Sequence, residues 1–275
     1  MNYFIDTEFL EGPQDKTFLG IKIGITKPTI DLISIGIISE DNREYYAISK
    51  DFNLKEAWNR HQLILPESMG DEPIKEYWIR ENVLIPIFFE LAYREFHNSH
   101  FKEDWYYKQE LVTLEVFGTN LSWISDYNWF KILINKYGKN NEEISEEVEF
   151  FIRKGNHVNC KTDRLQNDTT KKNVEFYAYY ADYDWVVFCW LFGKMNSLPK
   201  GFPKYCNDLK QELDRFVNLE MKHNSQWTTK SFDDCLTLIQ NLKSYPTQIN
   251  AHNALADAKW NKNLHQFLIN LHDNN

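Results

Sequence analysis

The chain has 275 residues, enough for one large domain or two small ones. Hydrophobic residues make up 43 % and aromatic residues 16 %, which excludes a disordered chain, and no apolar run is long enough to span a bilayer. The formal net charge of −9 argues against a protein that coats long duplexes through a broad basic surface. It leaves room for an enzyme that grips a few nucleotides through metal ions and a local basic patch.

The residues Met1 to Phe9 read MNYFIDTEF, a short apolar strand ending in Asp6-Thr7-Glu8. The first residues enter this strand pattern at once, without a basic stretch or a signal-like apolar core, so the expected location is the cytoplasm. Glu11 to Gly24 reads as a loop or irregular extension. Asp31 to Ser39 is apolar and β-branched and reads as a strand, Glu40-Asp41-Asn42 as a turn, and Arg43 to Ser49 as a third strand. Short connections between the three imply an antiparallel meander.

Pro73 suits a first helical position, with Trp78, Ile79 and Val83 following at helical spacing, and Pro86 should kink or divide that helix before about Phe96. His97 to about Trp129 is aromatic-rich and mixed in pattern. Lys131 to Tyr137 reads as helix. Asn141 caps a helix from Glu142 to Lys154, with Ile144, Val148, Phe151 and Ile152 on one face. Gly155 to Asn173 is polar and basic. Arg153, Lys154, Lys161, Arg164, Lys171 and Lys172 read as a solvated charge run, with a phosphate-tracking flank as the alternative.

Val174 to Tyr180 has the character of a buried parallel strand. A buried helix follows from Trp185 to Met195. Tyr205 to Leu209 reads as a short strand, with Asp208 capping a helix from Leu209 to about Phe216. Ser231 to Leu242 is helical, and His252 to Asp257 leads into a last amphipathic helix through Leu271. The expected fold class is α/β: one domain over residues 1–275 with a mixed central sheet flanked by helices, and inserted material near 97–130 and 155–173. Cys160, Cys189, Cys206 and Cys235 form no CxxC pair and read as thiols in a reducing compartment.

Alternation along a strand places Asp6 and Glu8 on one face, where two carboxylates repel and a divalent cation would relieve them. Asp184 at a strand-to-helix junction and Asp257 in the last helix are further carboxylates beside ordered elements. For Asp184 a plain N-terminal cap is the competing interpretation. His252 and Asp257 are five residues apart, about 140° on a continuous helix, so they share a site only if His252 lies in the loop before it.

Taken together, Asp6-Thr7-Glu8-Phe9, the Tyr-Asp-Trp block at Asp184 and the H-x4-D of His252 and Asp257 resemble the DEDDh 3′–5′ exonuclease superfamily. Within it, five blocks are similar to small bacterial exoribonucleases of the exoribonuclease AS type. They are YFIDTEF (3–9), LISIGIISEDNREYYAIS (32–49), YYADYDWVVFCWLFG (179–193), GFPKYCNDLKQELD (201–214) and HNALADAKWN (252–261). The resemblance implies a ribonuclease H-like mixed sheet, three antiparallel strands followed by parallel ones. It implies two Mg²⁺ or Mn²⁺ ions held by Asp6, Glu8, Asp184 and Asp257, with His252 as general base. It also implies hydrolysis of single-stranded RNA from its 3′ end to nucleoside 5′-monophosphates. Thr7, Phe9 and Tyr183 would contact the terminal nucleotide. Asp182 lies near Asp184, but the register before Trp185 favours Asp184 as the ligand. A membrane has no place in this reading, and the resemblance allows for a homodimer. The competing functions are a 3′–5′ exodeoxyribonuclease of the same superfamily, and a catalytically silent nucleic-acid-binding module.

Overall fold

A computed structural model describes residues 1–19, 21–65, 72–99, 127–155, 173–223, 227 and 229–273. Most of the expected inserted material, 100–126 and 156–172, falls outside the described residues, as do Cys160, Lys161, Arg164, Lys171 and Lys172. Two compact units make up the chain: Met1–Phe9, Leu32–Ala47 and Asn141–Asn275 form one, and Leu10–Asp31 and Ile48–Asn140 the other.

The first unit is built on a five-stranded mixed sheet. Its strands are β1 (Asn2–Gly12), β4 (Thr29–Ser39), β5 (Glu44–Ile48), β8 (Glu175–Ala178) and β9 (Asn207–Asp208), in the order β5-β4-β1-β8-β9. The tight turn at Glu40–Arg43 joins β4 to β5, with Asn42 in the left-handed region that asparagine tolerates. Beyond β1 the sheet is parallel: Asn2, Tyr3 and Phe4 pair with Glu175, Phe176 and Tyr177, and β8 pairs with β9.

Strand alternation sorts the core into two layers. Tyr3 and Phe176 face α4 (Asn141–Gly155) and α5 (Ala181–Leu191). Tyr3 donates its hydroxyl to the Ile152 carbonyl at 2.9 Å, and Phe176 meets Trp185 at 5.2 Å and Phe188 at 5.0 Å. Phe4 and Tyr177 face α6 (Leu209–His223), α7 (Phe232–Gln240) and α8 (Ala254–Asp273), in a cluster with Leu213, Val217, Cys235, Ile239, Ala258 and Leu264. Truncating a ring such as Phe176, which is fully buried, costs about 3–5 kcal/mol.

Gly36 fixes how closely α8 approaches the sheet. A Cβ there would sit 2.3 Å from the Ala254 carbonyl carbon and from the Leu255 nitrogen, both backbone atoms. Only glycine lets the first turn of α8, which carries Asp257, lie directly on β4.

The second unit contains β2 (Asp15–Phe18) paired antiparallel with β3 (Ile21–Ile25), and β6 (Gln62–Ile64) paired antiparallel with β7 (Ile74–Glu76). It also holds α1 (Leu54–Asn59), α2 (Ile85–Ser99) and α3 (Tyr127–Tyr137), with Phe88 and Phe130 fully buried.

Some boundaries differ from those expected, while at Pro86 the helix is interrupted as expected. Glu11 to Gly24 is largely strand, because Ile21, Ile23 and Ile25 alternate at the period of a hairpin. Pro73 opens no helix: Ile74–Glu76 pairs with Gln62–Ile64, and the helix begins only at Trp78. Ahead of Pro86 it widens into a π-helical turn, Arg80–Leu84, closed by the Ile85 N–H to the Arg80 carbonyl. That wider turn accommodates a proline with no N–H to donate. Finally, α5 starts at Ala181 rather than Trp185, so Asp184 lies within its first turn and is not its cap; Tyr180 holds the cap position.

Candidate active site

β1 does not end at Asp6-Thr7-Glu8. It runs on to Gly12, while its parallel neighbour β8 stops at Ala178. The register pairs β8 with Asn2 to Phe4 only, so Asp6 and Glu8 lie where β1 has outrun that partner. Open α/β sheets place ligands at such carboxyl ends of their strands.

A cleft of about 300 Å³ opens there. Asp6, Thr7, Glu8, Phe9, Tyr179, Tyr180, Tyr183, Asp184, Gln248, His252, Asp257, Trp260 and Asn261 line it. All eight residues singled out from the sequence are therefore on its wall. Asp182 is not among them. Asp6, Glu8 and Asp257 each offer a carboxylate oxygen within 4.8 Å of the others.

Each carboxylate is placed by a nameable device. Asp6 and Glu8 share the β1 face with Phe4, which packs 5.2 Å from His265 of α8. Thr7 points the opposite way, toward α5, where its N–H and its hydroxyl both donate to Asp184 Oδ1 at 2.9 and 2.6 Å. Asp257, one turn into α8, accepts from the His252 backbone N–H at 2.8 Å and from Gln248 Nε2 at 2.6 Å. His252 does lie in the loop before α8, with φ 67° in the left-handed region, and Asn253 caps the helix by accepting the Ala256 N–H at 3.0 Å. Asn261 ties α8 back to β1 by donating to the Ile5 carbonyl at 2.9 Å.

Asp208 organises the neighbouring helix starts. Its Oδ1 accepts from the N–H groups of Lys210 and Gln211, and its Oδ2 from that of Ala181 at 3.3 Å.

Electrostatics make the cluster costly when empty of cations. Burial, and then the charges of Asp184, Glu8 and Asp257, push Asp6 well above the usual carboxylate range. Glu8 is pushed up to about 8 by burial and by Asp257 and Asp184. Burial lifts Asp184 to about 7, against the pull of its two bonds from Thr7. Asp257 is raised by burial, opposed by Gln248 and His252. Converging all-oxygen donors that resist joint ionisation suit a hard divalent cation, which lowers the cost of bringing them together. The donor set therefore fits Mg²⁺ or Mn²⁺.

At the rim, Phe9 and Tyr183 stack on each other with ring centroids 5.6 Å apart and planes 13° from parallel. Tyr183 is half exposed, so the pair presents an aromatic face to solvent. Arg153, from the charge run read as solvated, is ion-paired with Glu149 at 2.6 Å. Cys189, Cys206 and Cys235 are free thiols. Among the described residues, no helix is long and apolar enough to cross a membrane.

Gln248, Asn261 and Trp260 were not foreseen. Gln248 sits in an irregular loop nine positions before Asp257, a separation with no periodic signature. Asn261 was detectable in principle, as a polar residue four positions after Asp257 on the buried face of α8.

No protein-family model matches the chain. Two curated proteins, each named a 3′-5′ exoribonuclease, are similar to it; they come from Mycobacterium tuberculosis strains CDC 1551 / Oshkosh and ATCC 25618 / H37Rv. Each is 25 % identical over 211 residues, which is 77 % of this chain and 73 % of the relative.

Proposed function

We propose that this chain is a metal-dependent 3′–5′ exoribonuclease of the DEDDh, ribonuclease H-like group, releasing nucleoside 5′-monophosphates. The observation that carries the reading is the meeting of Asp6, Glu8 and Asp257 within 4.8 Å, in one cleft with Asp184 and the loop of His252. The mixed sheet, with parallel strands on one side of β1, is in keeping with a ribonuclease H-like arrangement. That both relatives are named exoribonucleases favours RNA over DNA as substrate.

Asp6, Glu8, Asp184 and Asp257 would hold two Mg²⁺ or Mn²⁺ ions. When bound, such ions supply Lewis-acid polarisation of a phosphate and a water acidic enough to act near neutrality. The chain's own residues do the rest. Thr7 fixes the Asp184 carboxylate, and Gln248 with the His252 N–H fixes that of Asp257. His252 takes the proton of the attacking water, a task suited to histidine, whose ordinary titration range is near neutral. The water oxygen joins phosphorus, the bond from phosphorus to the 3′-oxygen of the preceding nucleotide breaks, and that oxygen takes up a proton. Phe9 and Tyr183 hold the terminal nucleotide by stacking, which tolerates any base.

A catalytically silent module has no physical reason to keep four mutually repelling carboxylates in one cleft. The choice between RNA and DNA is tested by digesting RNA and DNA oligomers of one sequence side by side with Mg²⁺. Faster loss of RNA is expected; preferential loss of DNA would overturn the ribonuclease reading in favour of the exodeoxyribonuclease.

A further inference from the structure

Tyr180 is unusual in backbone and in surface. Its φ and ψ of 57° and 50° lie in the left-handed region, where a bulky side chain is strained and glycine or asparagine is at ease. It occupies the cap position of α5 without making a side-chain cap bond. Its ring is 63 % exposed, so core packing does not offset the strain. Strain held at the wall of a cleft is a pointer to function.

The ring is nonetheless braced. It stands edge-on to Tyr179 at 4.8 Å and 72°. Tyr179 stands edge-on to Trp260 at 5.0 Å and 83°, and Trp260 Nε1 donates to the Pro246 carbonyl at 3.0 Å. These three aromatics line the same cleft as the carboxylates. With most of its surface exposed, the Tyr180 ring has room for a further flat partner. The Lys210 ammonium lies 6.0 Å from the Tyr180 ring centroid and is ion-paired with Asp214.

We propose that Tyr180 is a stacking platform for the base next to the terminal one, so that the site engages at least two nucleotides of a single strand. This rests on the exonuclease reading, in which the Phe9–Tyr183 pair holds the terminal nucleotide. Tyr180 lies three residues before Tyr183 at the start of α5, close enough for neighbouring bases of one strand to meet both rings. Stacking of this kind is sequence-tolerant and contributes mainly to binding.

The test compares a 5′-labelled oligoadenylate with the methyl ester of a nucleoside 5′-monophosphate, which has a terminal nucleotide and no ring upstream. Tyr180→Asn removes the ring and suits the backbone, so its urea midpoint should equal or exceed that of the unaltered protein. Its kcat/KM on the oligomer should fall about fivefold or more beyond any fall on the ester. Tyr180→Phe, which keeps the ring, should match the unaltered protein, and Tyr180→Trp, with a larger face, should lower the oligomer KM. Equal losses on both substrates, or no loss on the oligomer, would overturn the proposal while leaving the exonuclease reading intact. If the unaltered protein cleaves neither substrate, that reading fails and this proposal with it.

Discussion

Thr7 and Asp184 are 177 positions apart in sequence and joined twice, by the Thr7 N–H and by its hydroxyl, both to the same oxygen of the carboxylate. The pair locks β1 to the first turn of α5. Both bonds favour the charged carboxylate, which burial alone would discourage. Thr7→Val keeps the β-branch and the N–H bond but removes the hydroxyl. At pH 8 in chelator, urea denaturation should show a loss of about 1.5–3 kcal/mol, the usual worth of a hydrogen bond to a charged group. An unchanged midpoint would mean the hydroxyl contact carries no weight.

Gln248 and the His252 N–H divide the two oxygens of Asp257 between them. Partners that orient a metal ligand commonly matter by about 10–100-fold in metal affinity. Gln248→Leu, which keeps bulk and loses the donor, should weaken Mn²⁺ binding by that order in calorimetric titration. Wild-type affinity in the variant would show that the loop does not orient Asp257.

The carboxylate cluster sets a pH dependence whose sign follows from linkage. Glu8 titrates near 4.5 when unfolded and is pushed up to about 8 in the fold, and Asp184 goes from 3.8 to about 7. Between those values the native state keeps protons that the unfolded chain has lost, so stability falls as pH rises. In chelator, the melting temperature should decline as pH rises from about 5 to 8. Saturating Mn²⁺ should remove most of the decline, since binding to the folded state alone stabilises it. A melting temperature that rises over this interval in chelator would contradict the buried-carboxylate account.

The His252 backbone N–H is what holds the Asp257 carboxylate by hydrogen bond. His252→Asn should therefore keep the metals, because asparagine tolerates the left-handed backbone that His252 adopts and its N–H remains. The chemical step should slow by about 10²–10⁴-fold, the usual contribution of a positioned general base. Calorimetry showing that His252→Asn loses Mn²⁺ as fully as Asp6→Asn would contradict the separation of roles.

Much of this was legible in the chain. The β-branched run ending at Ser39 and the buried strand after Val174 carry strong local signals, and both form strands of the sheet. His252 announces a loop because Asn250 to Asn253 cannot propagate a helix, and the last helix follows at Ala254. What was not legible depends on distant partners. Gly36 is an ordinary strand residue until the backbone of Ala254 lies against it. The helical pattern that includes Pro73 gives way because Ile74–Glu76 finds a strand partner upstream, Gln62–Ile64. The start of α5 shifted four residues because Tyr180, not an aspartate, turns the chain, a conformation no propensity assigns to tyrosine.

The most direct test of the whole account is digestion of a 5′-labelled oligoribonucleotide with Mn²⁺, followed on a sequencing gel and by chromatography of the released products. The account predicts a ladder that shortens from the 3′ end, release of nucleoside 5′-monophosphates, and arrest by chelator or by Asp6→Asn. Intact RNA with Mn²⁺ present, internal cuts, or products bearing 3′-phosphates would contradict it.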